Sequence, residues 1–178
     1  EYSGMTVHTI ARDGIAVIVN PNVTVDALTK DQVRDIFAGK ITNWSEVGGA
    51  DAAIAVVARE EGSGTRTAFE ELVMGEGNAI VASILLPSNG ALRTAVAETA
   101  DAVGFLSLGY LDDTVKAVAI DGVVPSPETA ISGEYSVVRP LNMLTMGEGT
   151  DLAQAFIAYI MSPNGQRIVT GEGYLQVR

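Results

Sequence analysis

Residues 59–66, Arg-Glu-Glu-Gly-Ser-Gly-Thr-Arg, form the part of the chain best suited to holding an anion. They follow an apolar run, residues 52–58, and precede a helical pattern over residues 67–74. Arg59 therefore falls at the end of a predicted strand, and Ser63-Gly64-Thr65 opens a helix. The first N–H groups of a helix lack intrahelical acceptors and point out of its end, where the macrodipole adds partial positive charge. Two hydroxyls flanking a glycine let an oxyanion approach closely and collect several donors. Arg59 can add a permanently charged, forked donor to the same anion. A plain helix cap beside a surface arginine has the same local pattern, but ligands of open α/β sheets bind beyond the carboxyl ends of strands, which is where this cluster falls. Glu60 and Glu61 are expected to face solvent, or one of them to pair with Arg66. Ser88-Asn89-Gly90 is a second helix start, readable as a pure cap or as another wall of the cleft.

Other chemistries fit poorly. The chain has no G-x-x-x-x-G-K-[ST] and no G-x-G-x-x-G between a strand and a helix, so nucleotide loops are not expected. Ser63 lacks the flanking glycines of a G-x-S-x-G elbow, since Glu61 and Thr65 occupy those positions. Its one conceivable histidine base, His8, lies far away in sequence; a serine hydrolase using Ser63 is the remote alternative. One histidine and no cysteine exclude the usual zinc sets and any disulfide framework, and no cofactor or metal is expected. Asp112-Asp113 is read as a solvated acidic turn and Trp44 as a core anchor.

The elements that must position the loop follow from periodicity. Residues 14–20 are a continuous apolar run ended by Asn20-Pro21, the signature of a strand buried on both faces, as in parallel sheets. Thr29 and Gln32 make a capping box for a helix with Val33, Ile36 and Phe37 on one face and Gly39 as its stop. Residues 54–58 are the next strand; Phe69, Leu72 and Val73 face the core from the following helix, which Gly75 ends. A helix from Ser88 to about Thr99 and a strand over residues 102–108 complete a β-α-β-α alternation, predicting an open, mostly parallel α/β sheet. Strands are expected over residues 115–120 and 138–145, separated by a turn-rich connection with Pro125, Pro127 and Gly133. A helix over residues 151–161 should carry Leu152, Ala155, Phe156 and Tyr159 on one face, and residues 166–169 form a last short helix. Met74-Gly75-Glu76-Gly77 recurs as Met146-Gly147-Glu148-Gly149, read as turn chemistry and not as a repeat.

With 178 residues, 47% apolar and 19% charged, the chain is long enough for one packed domain, or a domain plus a smaller lobe. A net charge of −11 with 11 scattered Lys and Arg gives no basic face for nucleic acid. No apolar run approaches the ~20 residues of a membrane span. Glu1-Tyr2-Ser3-Gly4 lacks a signal peptide's basic and apolar regions, so the protein is cytoplasmic or its export signal lies outside this sequence.

Residues 13–21 resemble the crossover strand of bacterial phosphate-binding proteins of ABC transporters, and residues 28–44 resemble another segment of that family. Arg59-x-x-x-Ser63-Gly64-Thr65-Arg66 looks like its phosphate-binding signature, and residues 102–107 and 162–166 are also similar to family segments. The resemblance spans essentially the whole chain. It implies an α/β fold of the type II periplasmic-binding-protein kind, exported to the periplasm or anchored at the outer face of the membrane, with inorganic phosphate captured between two lobes and delivered to a membrane permease. It is no enzyme. Carried over, Arg59, Ser63, Gly64 and Thr65 contact phosphate, with Arg66, Ser88 and Asn89 as secondary contacts. Residues 14–108 match a complete middle lobe, and residues 1–13 and 109–178 the crossovers and the C-terminal part of the other, incomplete lobe. Family members carry an N-terminal segment ahead of this match. It supplies a Ser/Thr-rich loop and a carboxylate that accepts the proton of hydrogen phosphate and so rejects ionised sulfate. The chain is accordingly expected to be a truncated fragment with half a site and weak binding of its own, prone to pair with a second copy through the incomplete lobe. The alternative ligands are sulfate, molybdate, tungstate or a phosphoester.

Overall fold

The computed structural model describes residues 3–177; Glu1, Tyr2 and Arg178, and with them the start of the N-terminal tetrapeptide, lie outside the described residues. The elements are β1 (Met5–Val19), β2 (Ala27–Leu28), α1 (Lys30–Phe37), β3 (Ala55–Arg59), α2 (Gly64–Phe69), β4 (Ile84–Leu86), α3 (Asn89–Glu98), β5 (Ala102–Ser107), β6 (Lys116–Ala117), β7 (Ala119–Ile120), α4 (Pro127–Ser132), β8 (Val138–Met146), α5 (Asp151–Met161) and α6 (Pro163–Gly171).

The main sheet has the order β4-β3-β5-β1-β6, and β8 also pairs with β1. β3 is parallel to β4 and β5, whereas β1 is antiparallel to β5, β6 and β8. The expected mostly parallel sheet is thus a mixed one. A strand covered on both faces is apolar throughout whichever way its neighbour runs, so the pattern of residues 14–20 does not carry the direction. Both faces are indeed covered. Ile15, Val17 and Val19 point toward Val33, Ile36 and Phe37 of α1 and Phe69 of α2, while Ala16 and Ile18 point toward Leu92 and Val96 of α3. Phe69 stacks on Phe105 with ring centroids 4.1 Å apart, and Phe37 meets Phe69 edge-on at 4.8 Å. Trp44 is the buried anchor its sequence context suggests, its Nε1 donating to the Asp101 carbonyl at 3.0 Å.

The capping box of α1 forms, with Thr29 accepting from the Gln32 amide and Gln32 returning to the Thr29 N–H. The helix after the anion motif starts sooner than residue 67, at Gly64, and continues as a π-helical turn, Glu70–Met74. The strand expected over residues 115–120 is split because the chain changes partner: Lys116 and Ala117 pair with β1, a register the Val118 N–H extends to the Val17 carbonyl at 3.0 Å, and Ala119 and Ile120 pair with β2. Three elements were not anticipated: β2, of two residues, β4, of three, and α4, inside the connection read as turns, where Ser126 caps a helix opened by Pro127.

The first part of β1 pairs with β8 alone, apart from a bridge of Arg12 to Leu175. A bulge puts Ile10 opposite no β8 residue, and its carbonyl accepts from Nε2 of Gln166 on α6 at 2.9 Å. α5 has the expected bounds but presents another side inward: Ile157 is buried, while Leu152, Phe156 and Tyr159 are 82%, 54% and 52% exposed. Amphipathic spacing identifies a stripe, not what lies over it.

Candidate anion-binding site

β3 ends at Arg59, at the carboxyl end of the strand, and residues 60–63 turn the chain into α2. The turn is closed by the Ser63 N–H to the Glu60 carbonyl at 3.4 Å and tied to β4 by the Glu60 N–H to the Leu86 carbonyl at 3.1 Å. Gly62 holds φ 83° there, a backbone state that a side chain disfavours. Ser63 is the N-cap, its Oγ accepting from the Arg66 N–H at 3.3 Å. The N–H groups of Gly64 and Thr65 find no acceptor among the described residues, and Thr65 is buried. The loop therefore offers two main-chain donors and two hydroxyls at the carboxyl end of a strand.

Arg59 turns toward the neighbouring helix start. Nε donates to the Leu86 carbonyl at 3.2 Å, Nη2 to the Pro87 carbonyl at 2.8 Å, and Nη1 to Oδ1 of Asn89 at 3.0 Å. This brings Arg59 together with Asn89 and the α3 cap, where Ser88 accepts from the Ala91 N–H at 3.1 Å. Burial lowers the Arg59 pKa from the ordinary arginine value, with Glu60 acting in the opposite sense; arginine remains a cation at neutral pH all the same. Arg66 is committed locally, to Glu70 at 2.8 Å and to the Arg59 carbonyl at 2.9 Å. Glu60 and Glu61 are both exposed.

Sequence reasoning missed Asp13 and Arg139. Arg139, on β8, donates from Nε and Nη2 to Oδ2 of Asp13 at 3.1 and 2.9 Å. Its Nη1 lies 2.9 Å from where a Cβ on Gly64 would stand. The two residues are 126 positions apart in the chain, and only the β1–β8 register brings them together. The Asp13-Gly14 dipeptide was visible, but nothing near it in sequence signals its partner.

Ester hydrolysis by Ser63 finds no support in this geometry. No histidine or carboxylate hydrogen-bonds to Ser63 among the described residues, and Nε2 of His8 is engaged with Thr145 at 3.0 Å. Among the described residues no group of three or more His, Cys, Asp or Glu is placed to hold a metal ion, and no helix is long and apolar enough to cross a membrane.

The family profile described as the PBP superfamily domain matches residues 3–164. The phosphate-binding protein PstS of Bacillus subtilis is 39% identical over 172 residues, covering 96% of this chain and 57% of the relative. The chain thus spans little more than half the length of that relative. Among solved structures, a putative phosphate ABC transporter substrate-binding protein of Clostridium perfringens, determined with bound phosphate, is 40% identical with a TM-score of 0.86 over 99% of this chain and 73% of its own. An ABC-type phosphate transport receptor of Vibrio cholerae is 35% identical with a TM-score of 0.89 over 99% of this chain and 74% of its own. The type II periplasmic-binding-protein fold implied by the sequence motifs is the fold these structures share with this chain. The chain belongs to the PBP superfamily, within the family of phosphate ABC transporter substrate-binding proteins.

Proposed function

We propose that this chain provides one jaw of the substrate-binding component of a phosphate ABC transporter. Inorganic phosphate is held by the Gly64 and Thr65 N–H groups, the Ser63 and Thr65 hydroxyls and Arg59, with Arg66, Ser88 and Asn89 at the margin. The observation that carries this reading is the loop itself: two unpaired main-chain donors and two hydroxyls beyond the end of β3, beside the Arg59 cation. Residues 14–108 form the lobe that carries the jaw; residues 1–13 and 109–178 form the crossovers and part of the opposing lobe. Transport needs capture and release and no covalent chemistry, so the protein is not an enzyme. Its place is outside the cytoplasmic membrane, exported or anchored, where it hands phosphate to the permease. Capture by hinge closure puts donors on both sides of the anion, so one jaw binds weakly when alone.

Calorimetric titration of the full-length protein with phosphate, sulfate and molybdate tests the reading. Phosphate is expected to bind most tightly, and Thr65→Ala to weaken it about tenfold or more through a lost hydrogen bond in a desolvated site. Tighter binding of sulfate or molybdate would sink the phosphate assignment in favour of another oxyanion. The 178-residue chain alone is expected to bind phosphate with a Kd weaker than about 1 μM, equivalent to ~8 kcal/mol.

A further inference from the structure

The Asp13–Arg139 pair stands where β1 changes partners. Residues 5–14 of β1 pair with β8 and residues 15–19 with β5, and Asp13 is the register partner of Arg139. Asp13 is 1% exposed. Both of its carboxylate oxygens are used: Oδ1 accepts from Oγ of Ser107 on β5 at 2.5 Å, and Oδ2 takes Nε and Nη2 of Arg139. A carboxylate buried this deeply persists when it is paired and hydrogen-bonded, and removal of either partner strands the other charge. The remaining guanidinium nitrogen, Nη1, has no partner among the described residues and abuts Gly64 of the anion loop. Gly64 and Arg139 line one cavity of about 360 Å³ together with Thr67 and Asn142.

We propose that Arg139 is a positioning residue for the anion loop. Clamped by Asp13 and, through it, by Ser107, its free edge fixes how closely Gly64 approaches the paired strands, and thereby the direction of the Gly64 and Thr65 N–H groups. Glycine at position 64 is then a fitted contact: a methyl there meets a guanidinium that its grip on Asp13 keeps from moving aside. This role rests on the phosphate reading of the loop. Arg139→Lys keeps the charge but loses the planar fork that holds Asp13 and reaches Gly64 at once.

The test compares the full-length protein with Arg139→Lys, Gly64→Ala and the double variant, each titrated with inorganic phosphate and each melted without it. Arg139→Lys and Gly64→Ala are each expected to weaken phosphate binding about tenfold or more through misdirected donors, and the ligand-free melts read what each substitution costs the fold. The double variant is expected to lose much less than the product of the two losses, because both act on one contact. The Gly64 and Thr65 amide resonances should shift in ligand-free Arg139→Lys. Wild-type phosphate affinity in Arg139→Lys, or losses that multiply in the double variant, overturn the proposal. If Arg139→Lys melts early, Gly64→Ala carries the test, since it leaves the buried pair in place; unchanged phosphate affinity in that variant overturns the proposal. A wild-type protein that takes up no phosphate overturns the reading of the loop itself, a result seen in the wild-type arm alone.

Discussion

Ser63 has one role in the fold and a second in the proposed site, and a single substitution probes both. As the N-cap of α2 it satisfies the Arg66 N–H, and Ser63→Ala should cost about 1 kcal/mol of stability by urea denaturation. As an anion donor it should also weaken phosphate binding, whereas Ser88→Ala, at the cap of α3, should show a similar stability loss with a smaller effect on the ligand. Equal effects of the two on phosphate affinity would count against Ser63 as a direct contact. Caps of this kind are legible from sequence because the acceptor and its N–H lie three residues apart. The Tyr135 hydroxyl, which donates to the Ile15 carbonyl at 2.8 Å across 120 positions, was not legible. Burial raises the Tyr135 pKa, so the phenol is neutral at physiological pH and acts as a donor. Tyr135→Phe leaves the Ile15 carbonyl without that donor and should cost about 1–3 kcal/mol, read from the same denaturation. Asp13 and Arg139 were illegible for the same reason as Tyr135: a residue's long-range partner depends on strand register.

Helix boundaries were largely readable, since Thr29, Ser63, Ser88 and Thr150 each mark a start, and a left-handed glycine lies just past the end of α1, at Gly39. Strand direction was not readable, because burial on two faces erases the alternation that would distinguish neighbours. The junction of α5 and α6 at Ser162-Pro163 offers a sharp test of packing at this scale. A Cβ on Gly165 would lie 2.3 Å from the carbonyl oxygens of Tyr159 and Ile160, atoms of the main chain that have nowhere to go. Gly165→Ala should destabilise by about 1–3 kcal/mol or more. Gly171→Ala, at the end of α6 with nothing within 4 Å of the added carbon, should be close to neutral. Chemical denaturation of the two variants side by side checks the contrast; equal stabilities would show that the junction relaxes around the methyl.

For the molecule as a whole, the outer side of α5 and the β1–β8 ribbon leave apolar residues in the open: Leu152 and Phe156 on the helix, Met146 and Leu144 on β8. Exposed apolar side chains of this size favour association, and unpaired strand edges add a template for pairing. The 178-residue chain should therefore self-associate as its concentration rises, and Leu152→Glu with Phe156→Glu should suppress it. Light scattering that finds only monomer at high concentration would refute the expectation. The sheet beneath has a different consequence, which lies in β1. Because one unbroken strand serves β8 along its first part and β5 along its last, the two regions share a reading frame. An extra residue near Met5 or Thr6 need only disturb the pairing ahead of the bulge, which already absorbs one such insertion at Ile10. An extra residue between Asp13 and Ile15 would turn Asp13 away from Arg139 while Ile15, Val17 and Val19 stayed in place. Insertions and deletions in proteins of this fold should accordingly be tolerated on one side of Ile10 and purged on the other, so that the strand works as a ruler with its fixed mark at Gly14.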